Sequence, residues 1–97
     1  MTADEIIDET AHHFGLERAE LVGPRRHEHI ALARHVAMFA IRARTTSSFP
    51  DIARLFGNRD HKTVMSGVRK IAILVENKHP GVCAAMHALD VAERRTA

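Results

Sequence analysis

Apolar residues recur along this sequence at steps of three and four, and no stretch shows sustained alternation of apolar and polar positions. That spacing gives helices a buried face and gives strands none, so the expected fold class is all-α. Turn formers cut the pattern into short pieces. Thr2 and Glu5 have the spacing of a capping box, Ile6, Ile7, Ala11 and Phe14 continue as a helical stripe, and Gly15 is a stop. A short turn of helix is predicted over Glu17 to Leu21. Gly23-Pro24 breaks it, and Arg25 and Arg26 follow in an exposed loop. The next helix is predicted from Glu28 to Ala43, with Ile30, Ala33, Val36, Ala37, Ala40 and Ile41 facing the core and Arg34 and Arg42 turned away from it. Ser48 and Asp51 form a second capping box around Pro50, opening a short helix that ends at Gly57-Asn58. Asp60 is the expected N-cap of a longer helix from His61 to Val75, whose stripe is Val64, Val68, Ile71 and Val75. His79-Pro80-Gly81 ends it, and a last helix is predicted from Val82 to Arg94.

Ninety-seven residues allow one domain, residues 1–97, with too thin a core for a buried catalytic cavity. The longest uninterrupted apolar run is Val36 to Ile41, far below the roughly 20 residues of a membrane helix. The first turn is acidic where a secretory signal would be basic, and a lone Cys83 suits a reducing compartment, so a cytoplasmic location and no membrane partner are expected. With no Trp, no Tyr and four Phe, stacking platforms for single-stranded nucleic acid are not expected.

The distribution of charge is more telling than its sum. Residues 1–17 carry five acids and no Lys or Arg, whereas residues 18–70 carry eleven basic against four acidic residues, a net of +7. A basic centre of this kind is the footprint of a polyanion-binding surface or of a solvated face with no partner. A short helix, a Gly-containing turn and a longer helix crowded with polar residues at its start outline a helix-turn-helix, whose second helix enters the major groove. Gly57-Asn58-Arg59-Asp60-His61-Lys62-Thr63 packs donors and acceptors into one such turn.

Arg59-Asp60-His61-Lys62-Thr63-Val64-Met65, followed by Val68-Arg69-Lys70-Ile71, resembles the signature of the C-terminal DNA-binding domain (domain IV) of the bacterial replication initiator DnaA, approximately F-G-G-R-D-H-T-T-V and then R-K-I. Upstream, Arg34-His35-Val36-Ala37-Met38 resembles the family's R-Q-x-A-M, and Ser48-Phe49-Pro50-Asp51-Ile52 its S-L-P-E-I. The resemblance implies a Trp-repressor-like helix-turn-helix that binds double-stranded DNA at DnaA-box-like sites. It further implies a minor-groove arginine at Arg26 and Arg25, phosphate or backbone contacts from Arg34, His35, Phe49, Pro50 and Thr63, and a basic position facing the major groove at Arg42. Asp60 and His61 would read base edges, with Arg59 and Lys62 beside them; Asp60 is expected to cap the helix as well. Lys62 stands where the family has Thr, which points to guanine O6/N7 or a phosphate, and His35 replaces Gln. Asn58 replaces a second Gly and tolerates a left-handed turn.

The family couples this module to an ATPase, and no such sequence is present; Gly57 through Lys62-Thr63 lacks the second glycine of a phosphate loop, is one residue short and follows no strand, so no nucleotide binding by this chain is expected. Three origins fit: an initiator-like regulator, a phage or mobile-element protein, or a piece of a longer initiator, with Met1 directly before a capping box favouring a natural small protein. No cofactor is expected. The eight histidines lack zinc spacing, Cys83 and the serines lack the context of a nucleophile, and neither a metal site nor an enzyme is expected. Met38 and Met65 are expected as core filler, and Arg94-Arg95 as partners of the last helix dipole. The rival from another class is a helical protein-interaction module, with a partner docked on the acidic first helix or on the last one.

Overall fold

The computed structural model describes residues 1–24 and 26–96 and, among them, six helices and no strand: α1 (Ala3–Phe14), α2 (Arg18–Val22), α3 (Glu28–Arg44), α4 (Phe49–Leu55), α5 (His61–Glu76) and α6 (Pro80–Thr96). Among the described residues no helix is long and apolar enough to cross a membrane.

Local chemistry sets most helix starts. In α1 the Glu5 amide donates to Thr2 Oγ1 at 3.2 Å and the Thr2 amide to Glu5 Oε1 at 2.9 Å, closing the capping box. Ser48 and Asp51 repeat it at α4, with amide-to-side-chain distances of 3.0 and 3.1 Å and Pro50 inside the first turn, where its missing N–H costs nothing. Asp60 Oδ1 accepts the Lys62 amide at 2.8 Å, so α5 begins at a carboxylate cap, as its sequence predicts. Helix ends differ from expectation by a residue or two, and at α6 the difference has a cause. Helix α5 stops at Glu76 with Asn77 as its cap, ahead of His79-Pro80-Gly81, which instead starts α6: Pro80 is its first residue, and the Val82 amide donates to His79 Nδ1 at 3.2 Å.

Helix α3 is the spine, with α1, α2, α4 and α5 all packed along it. Its Ala33, Ala37 and Ala40 are fully buried beside Val36, Met38 and Ile41, small residues that let neighbouring backbones come close. One cluster joins Ala33, Ala37, Met38, Ala40 and Ile41 to Ile6, Ile7, Leu21, Ile52, Phe56, Val64 and Leu89; a second unites Val36, Ile71, Val82 and Ala85. Each Ile or Phe taken fully from water contributes about 1.5–3 kcal/mol. The buried Thr10 hydroxyl donates to the Ile6 carbonyl at 2.7 Å and so leaves no unsatisfied group.

The most extensive packing lies between α3 and α5. A Cβ on Gly67 would stand 2.7 Å from Cδ2 of the His35 ring, so the bare glycine backbone forms the notch that holds the imidazole. Met65, expected in the core, is instead 36% exposed, because it lies one residue off the Val64–Val68–Ile71 stripe. Met38 is fully buried as expected.

Candidate nucleic-acid interface

Helices α4 and α5 meet at a turn in which Gly57 (φ 79) and Asn58 (φ 57) are both left-handed. Asn is among the few side chains that adopt this conformation readily, which is how the turn survives without a second glycine. The Arg59 amide donates to the Ala53 carbonyl at 3.1 Å, tying the turn back onto α4. Beyond it Asp60, His61, Lys62 and Thr63 are all exposed, and the first inward side chain is Val64. The amino end of α5, with its partial positive charge, therefore opens to solvent carrying a carboxylate, an imidazole and an ammonium. His61 Nδ1 lies 3.8 Å from Asp60 Oδ1. A groove of about 580 Å³ runs from Pro50 and Arg54 past Asn58 to Asp60 and His61.

The basic residues divide by what they touch. Arg18 bonds Asp8 at 2.8 Å and Asp4 at 2.6 Å, Arg44 bonds Asp90 at 2.7 Å, and Arg54 pairs with Asp51. Among the described residues, Arg26, Lys62, Arg69 and Lys70 are exposed and engage no acidic side chain. Lys62 and Arg69 are seven residues apart on α5 and so share its outer face; Arg69 and Lys70 are not among the contacts the resemblance implies, although the seven-residue spacing signals Arg69. Arg42 is exposed, with its guanidinium carbon 4.2 Å from the centroid of the Phe49 ring and one N–H on the Ser47 carbonyl at 3.0 Å. Phe49 is half-buried beneath it and packs against the core, while Pro50 is exposed. The arginine, ring and proline thus make one patch beside the turn.

Three expected contacts are placed otherwise. Arg34, expected to point toward solvent or a phosphate, is 4% exposed. Its Nε donates to the Leu21 carbonyl at 2.8 Å and its Nη2 to the carbonyls of Glu20 at 3.3 Å and Gly23 at 2.7 Å. These are carbonyls that the end of α2 leaves without helical partners, so Arg34 caps α2 from the side. Arg59, expected among the DNA-contacting residues, is partly buried and donates to the same Gly23 carbonyl. His35, expected at a backbone contact, is half-buried in the Gly67 notch. Burial holds its pKa below the ordinary histidine value, and the charges of Lys70, Arg34 and Arg59 push in the same direction. Arg25 lies outside the described residues. Arg26 lines a second cleft, of about 380 Å³, between the loop after α2 and the Phe56-Gly57 turn. Among the described residues, no group of three or more His, Cys, Asp or Glu side chains is arranged to hold a metal ion.

A short helix, a left-handed turn and a second helix with an open, polar amino end define a helix-turn-helix protein. Residues 3–71 match the family model described as the bacterial DnaA protein helix-turn-helix, and the chain belongs to that family. It is 45% identical over 74 residues to the chromosomal replication initiator protein DnaA of Caulobacter vibrioides, covering 76% of this chain and 15% of that protein. The initiator of Thermus thermophilus is 44% identical over 73 residues (75% and 17%), and that of Oenococcus oeni 40% over 79 residues (81% and 18%). The chain thus spans less than a fifth of the length of these relatives.

Proposed function

We propose that this chain binds double-stranded DNA sequence-specifically, at sites resembling the initiator's boxes, as a DnaA-related protein of replication initiation or its regulation. One observation carries the proposal: the first turn of α5 is fully open, with Asp60, His61 and Lys62 exposed together beside cations that no acid neutralises. In a major groove these groups meet base edges, Asp60 accepting from an exocyclic amine and Lys62 donating to guanine O6/N7 or a phosphate. Arg69 and Lys70 hold the register on the backbone, Arg42 faces the major groove, and Arg26, with Arg25, reaches the minor groove. The relatives' common name, chromosomal replication initiator, supports the biological setting. The function is binding without catalysis or nucleotide chemistry, performed by residues 1–97 as one domain in the cytoplasm.

Anisotropy titrations test it. With about six phosphates contacted, log affinity falls with log salt at a slope of about −5. His61→Ala is expected to lose about 1–3 kcal/mol of discrimination between a box and a scrambled duplex. A salt-independent affinity, or equal affinity of the parent protein for both duplexes, refutes specific DNA binding and favours a protein-interaction module.

A further inference from the structure

Arg59 stands directly before the cap of α5 and reaches a carbonyl 36 positions earlier, that of Gly23. Gly23 opens the segment that carries Arg25 and Arg26, and its carbonyl also accepts from Arg34. Two guanidinium groups therefore converge on one backbone oxygen, and each charge disfavours the other: the Arg59 charge, after burial, holds Arg34 below its ordinary pKa. Arg59 Nε is buried without a hydrogen-bond partner, a further cost. Nothing in the packing of α5 alone requires this arrangement, because the helix is already capped by Asp60 and seated by Val64 and Ile71. What the arrangement does is fasten the loop after α2 to the reading turn. Gly57 lies against the end of α2, a Cβ there standing 3.6 Å from the Val22 carbonyl, and Arg26 and Arg59 line one cleft.

We propose that Arg59 is a positioning residue that fastens Gly23 to the amino end of α5, so that Arg26, which lines the same cleft, and the first turn of α5 engage a duplex as one unit. The proposal rests on the DNA-binding function above and adds a coupling between its two contact regions. The contribution of Arg26 to affinity then depends on Arg59, although Arg59 itself touches no base.

A double-mutant cycle tests this on a short labelled duplex carrying a binding sequence selected from a random library. In the parent protein Arg26→Ala is expected to weaken binding about tenfold; in an Arg59→Ala background the same change is expected to cost less than about twofold. Arg59→Lys, which keeps one donor for the Gly23 carbonyl, is expected to restore most of the Arg26 effect. Additive losses, with a salt slope about 0.9 shallower in Arg59→Ala, would show a plain phosphate contact and overturn the positioning role. Should Arg59→Ala lose its helical circular dichroism, Arg59→Gln carries the same cycle. Failure of the parent protein to bind any duplex overturns the DNA function, and the tether is then read without DNA. Backbone ¹⁵N order parameters at Gly23 and Arg26 are expected to fall in Arg59→Ala, and unchanged values refute the tether.

Discussion

Replacing Gly67 by Ala sets two effects of opposite sign against each other. An alanine in the middle of α5 improves helix propensity by about 1 kcal/mol over glycine. Its Cβ, however, would stand 2.7 Å from Cδ2, 3.1 Å from Cγ and 3.3 Å from Nε2 of His35. The ring is half-buried against the α5 backbone at Gly67, so relief requires either an off-rotamer imidazole or a wider gap between α3 and α5. Overpacking of this kind costs about 1–3 kcal/mol. The balance for Gly67→Ala is a net loss centred on about 1 kcal/mol, which lowers the melting temperature by about 4–8 °C in a domain of this size. In a His35→Ala background the obstacle is gone, and the same substitution is expected to stabilise by about 1 kcal/mol. The coupling between the two sites is therefore about 1–3 kcal/mol. Urea unfolding of the four proteins followed by circular dichroism measures it. An equal effect of Gly67→Ala in both backgrounds would show that the notch does not govern the approach of α5 to α3.

His35 also makes stability pH-dependent. Its folded pKa is lowered by burial and by Lys70, Arg34 and Arg59, so the unfolded chain binds more protons and stability falls as pH drops below the ordinary histidine value of about 6.5. The melting temperature is expected to decline between about pH 7.5 and pH 5 more steeply in the parent protein than in His35→Gln; matching slopes would remove His35 as a cause. Arg34→Ala strips the carbonyls of Glu20, Leu21 and Gly23 of a charged donor and is expected to destabilise by about 3 kcal/mol or more, seen as a drop of at least about 10 °C in thermal melts. A variant melting with the parent would return Arg34 to the surface role its sequence position suggested.

What the sequence shows well is what neighbours in the chain decide. Thr2 with Glu5, Ser48 with Asp51, and Asp60 ahead of Lys62 are local hydrogen-bond arrangements, visible as residue types at fixed spacing. The exposed turn His61-Lys62-Thr63 was legible for the same reason, since it follows a cap and precedes the first inward valine. Arg34 was misplaced because a helical wheel shows only one covered face. α3 is covered by neighbours on several sides, so a guanidinium off the apolar stripe still ends in the interior, on carbonyls of α2. The destination of Arg59 depends on a contact 36 residues away, which no local pattern encodes. Nothing local marks Gly67 either, because the ring it accommodates sits on another helix.

Adhesion and display are divided along α5. Val64, Gly67 and Ile71 fasten it to the body, whereas His61, Lys62 and Thr63 press on nothing inside. Exchanges at those three outward positions leave the interior as it was, so under the proposed DNA-reading role the preferred sequence can be redirected by randomising a single turn while the scaffold keeps its melting point. A family built this way can diversify what it recognises without re-solving how it folds.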